Sequence, residues 1–281
     1  MVNFDGTLLG DETAILNYDN RGLKFGDALF ETVRCANGKL FFWEDHYFRL
    51  MASMRILRME IPMAFTLEFL EEEIKKTIEA NNLTRGSARL RITVFRKDGG
   101  LYQPLTNDVS YTMECHELES PFYIISEDPY EVELFKDYYI NKDMLSNLKT
   151  TNKILNVVAS VYAEENGYNN CLLINTDKQV VEAINGNLFL VTDKKIKTPP
   201  LSDGCLDGII RKKLIEIISK TEEFELQESS ISPFELQKAD ELFITNSVLG
   251  LRPITRYRKK QYGNKVGKNL LGRLNAHARL G

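Results

Sequence analysis

Lys149 lies in the run MLSNLKTTNKILN, residues 144–156. The segment around it is polar and loop-like, and Thr150, Thr151 and Asn152 offer N-caps for a helix starting just beyond. Ile154, Val157, Val158, Val161 and Tyr162 follow at i, i+3, i+4, i+7 and i+8. This spacing predicts a helix with a packed apolar stripe, stopped by Gly167 after Asn166. A lysine pinned ahead of such a helix, if desolvated or set beside another cation, loses basicity and becomes a nucleophilic amine. A lysine taken alone is ordinarily a solvated one, and Lys and Arg total 36 in this chain. The case for Lys149 therefore depends on the other residues.

Three other places are suited to an anion. Arg49 stands beside Leu50 on an expected helix, one turn after His46, where its planar fork can clamp a phosphate. Gly208 precedes Ile209 and Ile210 at the expected start of another helix, where bare amides make an anion site. Thr245-Asn246-Ser247 places three hydrogen-bonding side chains at the end of an apolar strand. Each has an ordinary alternative: a surface arginine, a simple N-cap, a hydroxyl turn. Glu182 interrupts the apolar run Val180-Val181-Glu182-Ala183-Ile184, so its carboxylate must be exposed at an edge or paired. A ring nitrogen that stays protonated is one such partner. A lysine for a Schiff base, several donors for a dianionic phosphate and an acid for a pyridine nitrogen form the inventory for pyridoxal phosphate.

The elements that must position these residues are legible in part. Asn37-Gly38 marks a hairpin between strand-like residues 29–34 and 39–43. Helices are expected over residues 44–58 and, capped by Thr66, from Leu67 past Ile78. Residues 87–96 alternate, with Ala88, Leu90, Ile92 and Val94 on one side and Arg89, Arg91, Thr93 and Phe95 on the other. A solvated face is the ordinary account of the two arginines. Residues 109–115 form another strand. Strand periodicity lapses at residues 118–121, which suggests a boundary between domains 1–120 and 121–281. Strands are expected near 122–126, 171–175, 179–184, 187–192 and 241–245, with helices near 153–166 and 209–220. This pattern is mixed α/β, or α+β, in two domains. The basic tail from Arg256 to Gly281 predicts an amphipathic surface helix through Val266, Leu270, Leu271 and Leu274.

Composition narrows the classes further. The 281 residues are 43% hydrophobic and 27% charged, with net charge −4, which provides no basic field for nucleic acid or anionic membrane. No run reaches the length of a membrane span and the N-terminus has no secretion pattern, so the expected location is cytoplasmic. Cys35, Cys115, Cys171 and Cys205 are widely spaced and read as reduced thiols. With only three scattered histidines, no metal site is expected.

In six ordered motifs the chain resembles the class IV aminotransferases, the fold-type IV pyridoxal-phosphate enzymes. These are Phe25-Gly26-Asp27-Ala28-Leu29-Phe30-Glu31-Thr32-Val33-Arg34, His46-Tyr47-Phe48-Arg49-Leu50, Leu148-Lys149-Thr150-Thr151-Asn152, Val181-Glu182-Ala183, Leu206-Asp207-Gly208-Ile209-Ile210-Arg211 and Thr245-Asn246-Ser247. The resemblance implies Lys149 as the Schiff-base lysine, Arg49 as a phosphate arginine and Glu182 as the partner of the pyridine nitrogen. It implies phosphate contacts from the amides at Gly208, Ile209 and Ile210 and from Thr245 or Asn246. Phe30, Arg34, Arg89, Arg91 and Tyr102 are expected on the substrate side. The implied fold is a smaller N-terminal α/β domain and a larger C-terminal one with the cofactor between them, usually as a homodimer. The implied reaction is transfer of an α-amino group to a 2-oxo acid, with aminodeoxychorismate lyase as the alternative. Residues 245–253 depart from the branched-chain pattern toward the lyases, and an Arg-x-His carboxylate trap is missing where Arg96-Lys97-Asp98 stands.

Overall fold

A computed structural model describes residues 1–280, so of the elements expected above only Gly281, at the end of the basic tail, lies outside the described residues. The architecture is mixed α/β. Two compact units divide the chain: Met1–Phe122 with Lys149–Asn152, and Tyr123–Leu148 with Lys153–Leu280.

The first unit is built on a six-stranded antiparallel sheet. Its strands are β1 (Val2–Phe4), β2 (Thr7–Leu9), β3 (Ala28–Ala36), β4 (Lys39–Leu40), β5 (Ser87–Arg96) and β6 (Val109–Leu118), in the order β2-β1-β6-β5-β3-β4. Asn37 and Gly38 take positive φ of 50° and 78°, as a two-residue hairpin turn between β3 and β4 demands. Three helices complete the unit: α1 (Arg21–Phe25), α2 (Trp43–Ile56) and α3 (Leu67–Ala80). Thr66 caps α3 by accepting from the Phe69 amide at 3.1 Å. Leu70, Ile74, Thr77 and Ile78, at i, i+4, i+7 and i+8, form the buried stripe of α3. The other side of that core is the face of β5 carrying Ala88, Leu90, Ile92 and Val94, each fully buried, as the alternation requires.

The second unit holds β7 (Glu131–Ile140), α4 (Met144–Asn147), α5 (Ile154–Glu165), β8 (Asn170–Asn175), β9 (Val180–Ala183), β10 (Gly186–Thr192), β11 (Lys195–Thr198), α6 (Ile209–Ser219), β12 (Glu225–Glu228), α7 (Pro233–Leu236), β13 (Glu241–Asn246), β14 (Gly250–Ile254), β15 (Arg256–Tyr257), β16 (Lys260–Gln261) and α8 (Lys265–Leu280). Its mixed sheet runs β12-β11-β10-β9-β8-β7-β15-β16, with β13 joining β10 to β14. Leu172, Ile174, Leu188, Leu190, Leu242 and Ile244 pack together as its core. α8 buries Leu270, Leu271 and Leu274, the stripe expected of the tail.

Three local expectations are corrected. The strand expected near 122–126 is absent; the first strand of the second unit is β7, whose outer half is exposed and so lacks a clean alternation. Of the stripe expected on α5, Tyr162 packs against Phe135, but the aliphatic members do not pack within the described chain. Ile154, Val157, Val158 and Val161 are 36–74% exposed, and the residues α5 buries are Ala159 and Ala163. Nor do Thr150, Thr151 and Asn152 cap α5, whose N-cap is Lys153 with no side-chain cap hydrogen bond. Their groups are used elsewhere, in holding the lysine.

Among the described residues no helix is long and apolar enough to cross a membrane.

Candidate active site

Lys149–Asn152 is a tetrapeptide strapped to β3. The Phe30 amide donates to the Lys149 carbonyl at 2.9 Å and the Thr151 amide donates to the Ala28 carbonyl at 3.0 Å, an antiparallel bridge between Leu29 and Thr150. Asn152 Nδ2 donates to the Gly26 carbonyl at 3.0 Å. Gly26 ends α1 at φ 63°, and a Cβ there would lie 2.3 Å from Asn152 Oδ1, so only glycine satisfies both the turn and the close approach. Lys149 is half-buried, and its Nζ stands 4.3 Å from the centroid of the Phe30 ring. Arg91 Cζ lies 3.8 Å from that same centroid. One aromatic ring thus gathers the lysine and an arginine from different segments.

On the opposite side of β3 is a buried ionic cluster. Arg49 Nε donates to Glu31 Oε1 at 2.8 Å and Arg49 Nη2 donates to Oε2 at 2.6 Å. His46 Nδ1 lies 2.7 Å from the same Oε2, as a donor, since an ionised carboxylate only accepts. Burial opposes ionisation of Glu31, but the Arg49 charge and the bonds from Arg49 and His46 prevail and bring it down to about 2. His46 is pushed below its ordinary value by burial; Glu31 opposes this, and the charges of Arg49 and Lys149 reinforce it. The cluster is therefore carboxylate, guanidinium and neutral imidazole. Sequence reasoning gave Glu31 no role, although a carboxylate on the apolar face of a strand was a visible signal.

Arg34, Arg89 and Arg91 lie on the same sheet face as Phe30. Arg34 Nη2 donates to the carbonyls of Ser120 and Phe122, the latter at 3.1 Å. Tyr102 is not on that face: it stands on the loop after β5, 90% exposed, its ring 5.7 Å from that of Phe25.

In the second unit, Glu182 on β9, Asn187 on β10 and Thr245 on β13 are successive register partners across the sheet. Glu182 Oε2 accepts from the Leu206 amide at 2.9 Å, and Asn187 Nδ2 donates to the Leu206 carbonyl at 2.8 Å. The two side chains thereby fix the loop that leads into α6. Gly208 is the N-cap of α6 with no side-chain cap, leaving the first-turn amides of Ile209 and Ile210 without a covering side chain. A Cβ on Gly208 would come within 2.0 Å of Asn187 Oδ1. Thr245 Oγ1 is buried and has no hydrogen-bond partner among the described residues. Asn246 is occupied: its Nδ2 donates to the Asn185 carbonyl, and its Oδ1 accepts from the Val248 and Leu249 amides in the turn after β13. Asn187 was missed, because an asparagine inside an apolar strand reveals its partners only after the strands are paired.

A donor set of bare helix-start amides, an orphaned hydroxyl and a buried carboxylate matches a phosphorylated ring with a basic nitrogen. The model of the family amino-transferase class IV matches residues 28–257. The chain belongs to the class IV aminotransferases. A relative described as a putative branched-chain-amino-acid aminotransferase, from Methanocaldococcus jannaschii, is 28% identical over 94% of this chain and 90% of its own length. Among solved structures, the branched-chain aminotransferase of Thermoproteus uzoniensis with norvaline superposes with a TM-score of 0.87 at 24% identity, covering 99% of this chain and 94% of that one. A putative 4-amino-4-deoxychorismate lyase from Legionella pneumophila does so with a TM-score of 0.80 at 25% identity, covering 95% and 96%. This class IV aminotransferase thus has the fold-type IV architecture, and its motifs Lys149, Glu182 and Gly208 fall within the matched span.

Proposed function

We propose that this enzyme moves the α-amino group of an amino acid to a 2-oxo acid, with Lys149 as the amine that carries pyridoxal phosphate. What carries this reading is the strapping of Lys149 to β3 with its Nζ against the Phe30 ring, beside Arg91. The strap fixes where the amine stands, and a positioned lysine amine is the group that condenses with an aldehyde. Bound here, the cofactor would supply an aldehyde for amines and a protonated ring that accepts the electron pair left on the substrate α-carbon.

The chain's own groups divide the remaining work. Glu182 would keep a proton on the ring nitrogen. In the second unit the Ile209 and Ile210 amides and Thr245 Oγ1 would bind phosphate oxygens, the role that the resemblance also gives to Arg49. Lys149 would serve as the general base that takes and returns the substrate's α-proton. Phe30 packs beside the reacting atoms and keeps water away from them. The exposed stripe Ile154, Val157, Val158 and Val161 supports a homodimer.

The second reading is aminodeoxychorismate lyase, supported by the Legionella neighbour and by the residues after Thr245. Lys149 and Glu182 keep their roles in it, and pyruvate leaves in place of transamination. Borohydride reduction of the purified protein with cofactor, followed by peptide mapping, must find the pyridoxyl group on Lys149. L-alanine, L-leucine and D-alanine with 2-oxoglutarate, and separately aminodeoxychorismate, then divide the two reactions. Release of 4-aminobenzoate with no conversion of any amino acid would overturn the transaminase reading.

A further inference from the structure

The sheet of the second unit has two faces, and Glu182, Asn187 and Thr245 share one of them. Leu173 on β8 is the register partner of Glu182 and packs with Phe135 and Cys171 against α5. Leu134, Ile174 and Tyr257 belong to the core on the opposite face, as the alternation along β7 and β8 requires. There they line a cleft of about 590 Å³, a size that suits a small molecule.

The walls of this cleft are fixed by bonds within the second unit. Phe234 on α7 lines it and is 78% exposed. Its helix is held by a capping box between Ser232 and Glu235 and by Lys197 Nζ, which donates to Glu235 Oε2 at 2.7 Å. The turn between β8 and β9 is pinned by buried Asn175, whose Oδ1 accepts from the Asp177 and Gln179 amides at 3.0 and 2.9 Å. It carries Lys178 at φ 61°, a conformation few lysines take.

Charge around the cleft is one-sided. Lys136, Lys178 and Arg258 line it, against the carboxylate of Asp177. Asp177 is taken by Lys142 at 2.5 Å and Arg258 by Glu133 at 3.4 Å. The side chains of Lys136 and Lys178 pair with none of the described residues. A solvated lysine needs no partner, but a buried phenol does. Tyr257 is 1% exposed, lines the same cleft, and its hydroxyl makes no hydrogen bond among the described residues. Burial pushes this phenol up to about 12, with Glu133 adding to the shift and Arg258 opposing it, so it stays a donor at neutral pH. The acceptor it lacks must come from the cleft. Tyr139 joins Phe234 and Tyr257 in the lining, so a flat ring gains aromatic contacts there that an alkyl chain does not.

We propose that this cleft binds a small aryl carboxylate, its ring against Phe234 and its charge answered by Lys136 and Lys178. The site lies on the sheet face away from Glu182 and does not rest on the reading of Lys149.

The purified protein with pyridoxal phosphate bound is titrated calorimetrically with three probes. These are 2-naphthoate, its uncharged counterpart 2-naphthamide, and hexanoate, an anion without a ring. Wild type binds 2-naphthoate saturably, one per chain, and binds the other two at least about 5-fold more weakly. Lys136→Gln combined with Lys178→Gln weakens naphthoate roughly 10-fold and leaves naphthamide within about 2-fold. Phe234→Ala weakens naphthoate and naphthamide alike, by roughly 5-fold. All three side chains are exposed, so the melting temperatures stay at the wild-type value. The absorbance of the bound cofactor is unchanged during the titration. No saturable binding of naphthoate, equal affinity for either comparison probe, or full affinity in both variants overturns the proposal. So does a cofactor spectrum that shifts in step with naphthoate, which would place the probe at the cofactor.

Discussion

Glu31 and Arg49 meet in a two-toothed fork, Nε to Oε1 at 2.8 Å and Nη2 to Oε2 at 2.6 Å, with both side chains nearly buried. This pair fixes the plane and direction of the arginine to which phosphate binding is ascribed. Breaking a buried pair by removing one partner costs about 3–5 kcal/mol. Glu31→Leu should therefore lower stability by that order in a denaturant titration. Glu31→Gln, which keeps an acceptor, should fold but bind cofactor about 10-fold more weakly, read from the absorbance of bound pyridoxal phosphate.

Acid should unfold the protein in two stages. His46 has a folded pKa below its unfolded value, so its contribution is whole above pH 6.5 and erodes as pH falls below that. Glu31 drops from 4.5 to about 2, so its contribution is present above 4.5 and is lost as pH falls toward 2. Urea midpoints at pH 7, 5.5, 4 and 3 should decline throughout. Glu31→Leu should flatten the lower part of that curve, and an unchanged slope would contradict the assignment of the charge.

Gly208→Ala tests the phosphate cradle. Its new methyl would lie 2.0 Å from Asn187 Oδ1, so Asn187 must move and its bond to the Leu206 carbonyl must weaken. Cofactor affinity should fall by roughly 10-fold or more, with a loss of 1–3 kcal/mol in stability typical of a forced core clash. Tight cofactor binding in this variant, measured by equilibrium dialysis, would remove the helix start from the site.

Glu182→Gln keeps an acceptor for the Leu206 amide but removes the charge. The loop into α6 should hold and the melting temperature should change little. The turnover rate should drop about 100-fold or more, because a neutral amide cannot keep a ring nitrogen protonated. A rate within a few-fold of wild type would assign Glu182 to loop support alone.

The exposed aliphatics of α5 recur on one helical face, and no charged residue occurs between Ile154 and Ala163. Two copies of that face can meet without opposing like charges. Val157→Glu should shift sedimentation from dimer to monomer, and a wild-type protein that sediments as a monomer would refute the interface.

The sequence by itself determined much of this protein. Local periodicity suffices for α3, for the alternating β5 and for the tail helix, because each buries one face set by neighbours three, four or two residues away. Lys149, Glu182 and Gly208 were legible because their residue types break or punctuate such patterns. Only the tertiary structure decided what they touch. Thr151 and Asn152 carry the side chains of helix caps, yet their hydrogen bonds go to Ala28 and Gly26, more than a hundred residues earlier. The valines of α5 have the spacing of a core stripe, but whether a stripe meets a core depends on the helix's orientation, which no local pattern encodes. The opposition of Arg34 and Arg89, like the step from Glu182 to Asn187 to Thr245, comes from strand register, a relation between distant segments.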